Sequence, residues 1–440
     1  MRILLITGPG GTAQGWGDLG TTEKIRDTLA AAGSDAQILY IESMDDLMRG
    51  IARERFDIAW SALYHISQQA DHVGVAVSDD CWVADILDMR QIPYIGSDSL
   101  TMKRMIDKAA THRILAAAGV PIPKHFLVGE RDLLPEVAYP AFVKPSCESE
   151  STGISEDSVV HSYDELETRI RYVADTFHQP VLVEEYLPGR ELTVAMVGNG
   201  TNRVFMPVEN VIHPSSYRTY PLIKGNMKQE GLVRLQIPRR GIEEAKCLAS
   251  AAADAMGCLD HVRIDMREDG SGNLRVIEVN GIPGLNPKNS RSLRIHGIYN
   301  QTLGVEDNFR VLIGAIVASA AERHGIRRGL HSVSLPTQQT HLHDAPPTVS
   351  LQITMKIDSR NQEEVWEICT RFKQPFLETI PGAKSKEFLV RDEDVQLHHG
   401  FATVADAENY LSSTLFNRDI ATSLKPYLAA QPDIRIYTSL

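Results

Sequence analysis

Two acidic side chains and an amide stand where two consecutive predicted strands could bring them together. Asp265 lies in the segment HVRIDM, and Glu278 and Asn280 lie two residues apart in VIEVN. Side chains at i and i+2 of a strand share one face, so the turn EDGSGN between the strands would place Asp265 beside the other two. An oxygen-only group of this kind suits a Mg²⁺ ion that also holds phosphates. The alternative is an exposed hairpin with solvated acids, but the apolar neighbours of Glu278 favour a carboxylate with a partner or a metal.

Two basic side chains lie where an anion would be needed. Lys144 sits inside the apolar segment AFVKP, where an unpaired ammonium is costly to bury. Arg263 precedes Asp265 by two residues, so their side chains share a strand face. A triphosphate would supply the anion that a buried lysine requires. The chemistry indicated is binding of a phosphate-bearing ligand beside a hard cation.

Alternating strands and helices in the first hundred residues would form the platform for this site. Strands are predicted at 2–7, 36–41, 56–63 and 92–96, and helices at 21–32, 43–54 and 80–90. Such alternation predicts a parallel sheet flanked by helices. We therefore expect an α/β domain of the Rossmann-like type over residues 1–103.

Two α+β lobes are predicted to follow. A helical run at 101–119 ends at Gly119, and residues 104–184 then mix strands with one long helix, as expected for a small nucleotide-binding lobe. Residues 185–330 contain longer strands, the two strands around EDGSGN and a closing helix. That pattern predicts a larger, catalytic lobe.

The remaining residues form a separate predicted unit. Residues 331–348 are rich in polar residues and proline and have no clear period, which predicts a linker or extended arm. Residues 349–440 follow the order β-α-β-β-α-β, which predicts a ferredoxin-like α+β domain. Units of this shape often pair sheet to sheet, so a homodimer is expected on fold analogy.

Composition limits the partners of the chain. Its 440 residues include 57 acidic and 45 basic ones, and the net charge of -12 disfavours a dedicated nucleic-acid binder. The five cysteines are odd in number and form no CxxC pair, which indicates a reducing cytoplasm instead of a disulfide framework or zinc module. The sequence contains no run of about 18 apolar residues, so it predicts no membrane span. We expect a cytoplasmic protein that acts on small molecules.

Five motifs, in order along the chain, resemble the ATP-grasp enzymes and specifically the D-alanine–D-alanine ligases. They are MIDKAATHRILAAAGVPIP, YPAFVKPSCESESTGIS, VLVEEYLPGRELTVAMVG, VRIDM and VIEVNGIPGLNP, within residues 1–325. The resemblance implies an ATP-grasp fold and an ATP-dependent carboxylate-amine ligase, which forms an amide or peptide bond through an acyl phosphate and releases ADP and phosphate. The implied cofactors are ATP and two Mg²⁺ ions, for which Mn²⁺ can substitute, and the implied partners are a small carboxylate and an amine.

The resemblance assigns the phosphate end of the nucleotide to two lysines and a loop. Lys108 matches a family lysine that touches ATP phosphate, although a lone helical lysine is more often a solvated one. Lys144 matches the lysine at the α- and β-phosphates. The loop CESESTGIS matches the phosphate-covering loop, with Glu148, Ser151 and Gly153 retained.

The segment VLVEEYLPGREL resembles the family hinge that holds adenosine. The resemblance implies adenine hydrogen bonds from the backbone of Glu185, Tyr186 and Leu187, with Glu184 at the adenine edge and Glu191 at the ribose hydroxyls. A strand-to-turn segment supplies the required donor and acceptor without charged side chains. Standing alone, the motif would be taken for a hairpin with surface acids.

The catalytic residues are also assigned through the resemblance. Arg263 matches the arginine that holds the acyl phosphate, and the turn from Gly281 to Gly284 resembles the segment whose backbone N–H supports a developing oxyanion. Lys224 is the candidate for the γ-phosphate, and Lys228 competes with it because the loop length does not align cleanly.

The sequence departs from the family where the amino acids would bind. The family glutamate after the first glycine turn, which holds the ammonium of the first alanine, is replaced within GGTAQGWGDLGTTE, where Asp18 or Glu23 could substitute. The family stretch HGxxGEDG is replaced by YHISQQADHVG, which begins at Tyr64.

Two further departures affect charged positions. After Pro-Gly, the small hydroxyl residues that clasp the second alanine are replaced by LNPKNSRSL, where Asn286, Lys288 or Arg291 could hold a different carboxylate. Glu150 replaces a serine of the phosphate loop and either faces an amine-bearing substrate or points outward. We therefore expect a substrate other than D-alanine.

Three functions stay open on the sequence. They are a ligase for another carboxylate and amine, a cyclising ligase that joins two groups of one molecule, and an ATP-binding protein without ligase activity whose C-terminal domain mediates interactions. Retention of Lys144, Arg263 and the metal-binding residues favours the ligases, because a pure binder has no need of the arginine.

Overall fold

The computed structural model describes residues 1–66, 82–129, 132–149, 151–223, 232–326, 349–390, 394–401 and 403–438. The chain separates into two compact units, Met1–Thr337 and Gln338–Leu440. The division falls within the predicted linker 331–348, which lies outside the described residues. The domain boundaries expected inside the first unit stay predictions.

A parallel sheet begins the first unit, as the alternating pattern predicted. Its strands are β1 (Arg2–Thr7), β2 (Asp35–Tyr40), β3 (Ile58–Ser61) and β4 (Tyr94–Ile95), and the accompanying helices are α1 (Gly11–Gln14), α2 (Leu19–Ala31), α3 (Met44–Arg53), α4 (Val83–Met89) and α5 (Ser99–Ile106). The strand order is β2-β1-β3-β4, with parallel pairing throughout. Residues 3–6 of β1 are fully buried, as expected for a strand covered on both faces.

The helical run predicted at 101–119 is two helices. The second, α6 (Lys108–Ala117), begins after Asp107, whose side chain accepts hydrogen bonds from the backbone N–H of Ala109 (2.9 Å) and Ala110 (3.1 Å). Asp107 has extended backbone angles, so its carboxylate caps a new helix instead of continuing the old one. The break places Lys108 at a helix start.

A smaller antiparallel sheet follows, with one long helix. It contains β5 (His125–Val128), β6 (Ala141–Pro145), β7 (Val159–Val160) and β8 (Val181–Glu185), with α7 (Tyr163–Phe177). The order is β5-β8-β6-β7. The helix and these strands enclose a core of their own, which includes Val143, Leu166 and Val183.

The larger antiparallel sheet carries the candidate metal residues. Its elements are β9 (Glu191–Val197), β10 (Val204–Ile212), β11 (Val233–Gln236), α8 (Ile242–Met256), β12 (His261–Glu268), β13 (Leu274–Asn280), α9 (Arg291–Tyr299) and α10 (Val305–Arg323). The strand order is β11-β10-β9-β12-β13. Helix α9 was not predicted, although Ser290 marks its start by accepting a hydrogen bond from the Leu293 N–H (3.0 Å).

The second unit has the predicted β-α-β-β-α-β order. Its elements are β14 (Val349–Met355), α11 (Gln362–Arg371), α12 (Lys373–Thr379), β15 (Ala383–Val390), β16 (Val395–Phe401), α13 (Val404–Leu411), a π-helical segment (Leu415–Ile420), α14 (Ala421–Leu424) and β17 (Asp433–Thr438). The strands form an antiparallel sheet in the order β15-β16-β14-β17.

The single helix predicted at 361–380 is broken at Phe372. Pro375 lies in the first turn of the second piece, where its missing N–H and its ring prevent a continuous helix. None of the helices in the described ranges is long and apolar enough to span a membrane.

Candidate active site

Two neighbouring strands bring four candidate residues to one place. Strands β12 and β13 are antiparallel, with Arg263 opposite Asn280 and Asp265 opposite Glu278. The register shifts after Asp265, where β13 carries an extra residue. Asp265 contacts both Arg263 and Asn280, whereas Glu278 pairs with Lys108.

Asp265 is the centre of a buried hydrogen-bond network. Its carboxylate accepts bonds from Arg263 Nη2 (3.1 Å), Thr193 Oγ1 (2.7 Å) and Asn280 Nδ2 (3.2 Å). Burial raises the pKa of Asp265, but the charges of Arg263 and Arg291 outweigh it and lower the pKa below its ordinary value. Asp265 is therefore a carboxylate at neutral pH.

Lys108 reaches Glu278 from the start of α6. Its Nζ lies 3.1 Å from Glu278 Oε1 and donates to the backbone carbonyl of Glu148. Its own N–H donates to the carbonyl of Ser146 (3.0 Å), which ties α6 to the end of β6. Burial lowers the pKa of Lys108, but the charge of Glu278 more than compensates and the pKa is raised.

A second buried lysine pairs with Glu184. Lys144 Nζ lies 2.7 Å from Glu184 Oε2, and both side chains are almost fully buried. His112 lies on the other side of this carboxylate, with Nδ1 3.5 Å from Glu184 Oε1. Burial lowers the pKa of His112 to about 4, against the opposing effect of Glu184. The histidine is therefore neutral at pH 7.

The predicted hinge residues line one cleft together with Lys108 and Lys144. The side chain of Glu185 accepts a hydrogen bond from the Lys124 N–H (3.1 Å). Glu191 Oε2 lies 3.3 Å from Arg267 Nη1, and the Arg267 guanidinium stands 5.8 Å from the centre of the Tyr186 ring. Glu191 is thus held by a cation at the rim of the cleft.

These residues surround one cleft of about 860 Å³. Side chains from the smaller and the larger antiparallel sheet line it, together with Leu222 and Ile223. Apolar side chains lining it are Phe142, Ile154, Leu187, Leu222, Ile223 and Ile277; polar ones are Lys108, Lys144, Ser151, Glu184, Glu185, Tyr186, Glu191, Arg263, Asp265, Arg267, Glu278 and Arg291. A cleft with both apolar and charged walls can hold a purine that carries phosphates.

The residues of the predicted phosphate loop lie beside the charged side chains of the cleft. Gly153 has φ +77°, and a Cβ there would lie 2.7 Å from the Pro145 ring and 2.9 Å from the Phe177 ring. Glu148 is held by Gln179, whose Nε2 donates to Glu148 Oε1 (3.0 Å). Gly153 therefore cannot be replaced without moving the loop or its neighbours.

A second cavity, of about 480 Å³, adjoins the first. Lys108, Arg263 and Glu278 border both. Asn280, Gly284, Glu148, Ser149, Tyr64 and Gln14 are among its other lining residues. Lys108, Arg263 and Glu278 thus form a charged wall that is common to the two cavities.

Tyr64 fixes the turn after β13. Its hydroxyl accepts hydrogen bonds from the N–H groups of Gly281 (3.0 Å) and Ile282 (2.8 Å). The Gly281 N–H predicted as an oxyanion donor is therefore already engaged, whereas Gly284 borders the second cavity. Burial raises the pKa of Tyr64 well above its ordinary value, so the hydroxyl stays protonated.

Three predicted substrate residues have other contacts. Asp18 caps α2 by accepting a hydrogen bond from the Thr21 N–H (2.9 Å). Asn286 Oδ1 accepts a hydrogen bond from the backbone N–H of Lys288 (3.0 Å), whose side chain is exposed. None of the three is among the described residues that line either cavity. Each is used by a local turn or cap, which the pattern alone did not reveal.

Arg291 differs from its neighbours, because it starts the unpredicted helix α9 and turns inward. Its Nη1 lies 4.0 Å from Asp265 Oδ1 and 3.4 Å from Thr193 Oγ1, and the side chain lines the nucleotide cleft. The candidates Glu150, Lys224 and Lys228 lie outside the described residues.

Residues that the sequence did not single out also contribute. Thr193 donates a hydrogen bond to Asp265 and Arg267 pairs with Glu191, and both belong to strands already assigned to the large sheet. Gln14 lines the second cavity from the glycine-rich turn, where only acids had been considered. A polar side chain among the glycines of GGTAQGWG was the available signal.

The donor set fits a hard divalent cation. Asp265 and Glu278 offer carboxylate oxygens and Asn280 an amide oxygen, in register on adjacent strands. Within the protein, Lys108 pairs with Glu278 and Arg263 pairs with Asp265. Within the described ranges, no group of three or more His, Cys, Asp or Glu side chains could hold a metal ion. A metal bound here would therefore share its shell with the amide and with ligand oxygens.

Comparisons with known proteins agree with this geometry. Residues 125–299 match the family model "D-ala D-ala ligase C-terminus". The D-alanine–D-alanine ligase of Pelotomaculum thermopropionicum is 27% identical over 296 residues, which are 64% of this chain and 86% of that protein. The D-alanine–D-alanine ligase B of Pseudomonas syringae pv. tomato is 27% identical over 330 residues, covering 74% of this chain and 94% of that protein.

The fold agrees as well. The crystal structure of the D-alanine–D-alanine ligase from Bacillus anthracis complexed with ATP superposes with a TM-score of 0.53 at 19% identity. It covers 73% of this chain and 99% of that chain. The chain thus has the ATP-grasp fold, is similar to the D-alanine–D-alanine ligases, and is an ATP-dependent carbon–nitrogen ligase.

Proposed function

We propose that this chain activates a small carboxylate other than D-alanine as an acyl phosphate and joins it to an amine, with release of ADP and phosphate. The observation that carries the proposal is the shared wall of the two cavities. Lys108, Arg263 and Glu278 border both the nucleotide cleft and the adjoining cavity. A substrate carboxylate in the second cavity would thus meet the terminal phosphate of ATP at these charges.

The nucleotide would lie with its base among the apolar side chains of the cleft. Glu184 would lie at the base edge and Glu191 at the ribose. Arg267 pairs with Glu191 and would orient its carboxylate. Lys144 and Lys108 would meet the phosphates, exchanging part of their contact with Glu184 and Glu278 for the ligand. The cost of burying these ammonium groups is already offset by the two carboxylates.

Asp265, Glu278 and Asn280 would hold magnesium. We propose two Mg²⁺ ions, with Mn²⁺ as a substitute, and the bound metal would neutralise phosphate charge during transfer. The oxygen-only donor set and the ionised state of Asp265 support this assignment. Arg291 stands behind Asp265 and would keep the carboxylate ionised when other partners move.

Arg263 would then act on the reacting carboxylate. The γ-phosphoryl group passes from ATP to a carboxylate oxygen, which leaves ADP and an acyl phosphate. The amine attacks the acyl carbon, loses a proton, and phosphate leaves. Arg263 borders both cavities and would hold the developing negative charge, together with the Gly284 backbone. Glu150 and Lys224 keep the roles predicted from the sequence, as candidates at the amine and the γ-phosphate.

The proposal of a different substrate rests on the second cavity. Asp18, a candidate to replace the missing family glutamate, caps α2, and Glu23 is exposed. The carboxylates of Glu148 and Glu278 that border the cavity are engaged by Gln179 and Lys108. These contacts disfavour binding of an α-ammonium by the described residues of this wall.

A substrate panel tests the proposal. Purified protein, ATP and Mg²⁺ are combined with pairs drawn from amino acids, dipeptides, hydroxy acids and amines, and with compounds that carry both groups, and ADP release is measured. We expect release with one pair that excludes D-alanine as acyl donor, or with one bifunctional compound if the reaction is a cyclisation. Turnover of D-alanine alone at the highest rate would contradict the change of substrate.

Arg263→Ala tests the mechanism within the same panel. We expect product formation to fall by at least about 100-fold, as for loss of one charge-stabilising donor, while ATP still binds. Arg171→Ala, at an exposed position on α7, is the matched control and should be unaffected. Normal turnover by Arg263→Ala would remove the proposed role.

The C-terminal unit is proposed to be a ferredoxin-like domain that forms a homodimer. Its element order and antiparallel strand order support the classification. Strand β17 lies at the sheet edge and exposes Ile434 (41%) and Tyr437 (45%), which supports pairing with a second copy. The free cysteines Cys147, Cys247, Cys258 and Cys369 support the proposed cytoplasmic location.

A further inference from the structure

The second cavity contains a buried amide whose two ends differ in their contacts. Gln14, the last residue of α1, is 3% exposed and lines the cavity. Its Oε1 accepts hydrogen bonds from the backbone N–H groups of Tyr64 (3.0 Å) and His65 (3.1 Å). No described residue accepts a hydrogen bond from its Nε2.

The orientation of this amide is fixed by its neighbours. Two backbone N–H groups can donate only to the oxygen, so exchanging oxygen and nitrogen would set donors against donors. The amide nitrogen is therefore the end left for the cavity. Buried donors in folded proteins normally have an acceptor, and leaving one without a partner costs free energy. The missing acceptor is expected to arrive with the ligand.

The charges around the cavity agree on the polarity of that ligand. Lys108 and Arg263 border the cavity as cations, and the bordering carboxylates of Glu278 and Glu148 accept from Lys108 and Gln179. An ammonium group next to the Gln14 donor would meet another donor. An oxygen atom there would complete the hydrogen bonding.

We propose that Gln14 is a specificity-determining residue, whose Nε2–H donates to an oxygen of the acyl substrate close to its reacting carboxylate. The substrate class is therefore an acid that carries a hydroxyl, carbonyl or second carboxylate oxygen at this position instead of an ammonium. This inference rests on the proposed function, because it assigns the second cavity to the acyl substrate.

Gln14→Glu is the decisive variant. A glutamate can still accept from the N–H groups of Tyr64 and His65 with one oxygen, so the turn is retained, while its other oxygen replaces the donor with an anionic acceptor. Gln37→Glu makes the same change at an exposed position on β2 and is the matched control. Melting temperature and ATP binding are measured for all three proteins to verify folding.

The readout is the choice between matched acids. Glycolate and glycine, lactate and alanine in both enantiomers, and malate and aspartate are each offered with ATP, Mg²⁺ and excess hydroxylamine. The hydroxylamine attacks the acyl phosphate to give a hydroxamate and phosphate, so the natural amine need not be known. ADP and hydroxamate are both measured, and kcat/KM is compared within each pair.

In the best pair, we expect kcat/KM of the wild type and of Gln37→Glu to be about tenfold or more higher for the hydroxy acid than for the amino acid. The hydroxy acid gains a hydrogen bond from Gln14, whereas the ammonium of the amino acid meets a second donor. Gln14→Glu should reverse that preference. An amino-acid preference in the wild type, or an unchanged preference in Gln14→Glu, overturns the inference. If ADP release occurs, the ligase proposal survives either result.

Absence of ADP and hydroxamate in the wild type with every pair would count against the ligase proposal. The inference is then judged by dissociation constants of the same acids, measured with a non-hydrolysable ATP analogue present. Tighter binding of the hydroxy acid, lost in Gln14→Glu, supports the role of Gln14. Equal binding within every pair, or no binding of any acid, overturns it.

Discussion

Buried ion pairs organise the charged side chains of the cleft. Among them are Lys144 with Glu184, Lys108 with Glu278, and Arg263 with Asp265. Removing one member of a buried pair typically costs about 3 to 5 kcal/mol, because the other charge loses its compensation. A loss of ATP binding in such a variant therefore has to be separated from a loss of folding. Stability measurements belong beside every activity measurement at these positions.

His112 makes the unfolding free energy of the protein depend on pH. Burial lowers its folded pKa from the ordinary 6.5 to about 4. The unfolded chain thus binds more protons than the native one between these values, and the unfolding free energy falls as pH falls from about 6.5 to 4. The 2.5-unit difference corresponds to roughly 3 kcal/mol, with no further loss below about pH 4.

Urea unfolding at pH 7, 6 and 5 tests this dependence. His112→Gln should lose part of the slope, because glutamine does not titrate, while the buried His261 continues to contribute in the same direction. His178→Asn, at an exposed helix end, is the control and should keep the whole slope. A slope in His112→Gln equal to that of the wild type would contradict the assignment.

At the scale of elements, the break between α5 and α6 decides where Lys108 lies. Asp107 ends one helix and caps the next, and as a result Lys108 enters the site from the first turn of α6. The periodicity of residues 101–119 does not show this break, because both halves share one apolar face. A capping aspartate inside a helical run was the local signal. The same reasoning applies to Pro375, which divides the helix in the second unit.

The loop between β6 and β7 offers a test of backbone geometry. Gly153→Ala should weaken ATP binding by about tenfold or more, because its positive φ and its contacts with Pro145 and Phe177 leave no room for a Cβ. Gly33→Ala has a similar φ (+82°) with nothing within 4 Å, and it isolates the backbone strain alone. Titration of a fluorescent ATP analogue measures both variants. Equal affinities would contradict a role for crowding in this loop.

At the scale of the whole molecule, our proposal assigns a different function to each of the two compact units. The first, Met1–Thr337, contains both cavities. The second, Gln338–Leu440, has its own core around β14, β16 and Phe376. The unit that reacts and the unit proposed to associate can therefore be altered separately.

Association is tested by a double substitution on β17. Ile434→Lys with Tyr437→Lys should convert a dimer into a monomer, because lysines on an edge strand oppose pairing. Mass in solution is measured over a range of concentrations, with Val305→Lys, at an exposed position of the first unit, as control. Deletion of residues 331–440 should have the same effect. An unchanged mass in both would exclude this unit as the dimer contact.

The sequence by itself determined most of the elements and the metal-binding candidates. Period-2 and period-3.6 patterns depend on neighbouring residues, so β1, β2 and α3 were predicted within a residue of their ends. The spacing of Asp265, Glu278 and Asn280 is also local, because alternate residues of a strand share a face.

Only the tertiary structure decided which polar groups meet across the chain. Gln14 accepts from Tyr64, fifty residues away, and Asp18 serves a helix cap instead of the cavity. Arg291 turns toward Asp265 because α9 begins there, a contact that no local pattern encodes. Long-range hydrogen bonds depend on how sheets and loops pack, and packing leaves the amide nitrogen of Gln14, a residue that lines the second cavity, with no acceptor among the described residues. The reaction could therefore be predicted from local motifs, whereas the choice of substrate depends on contacts between distant segments.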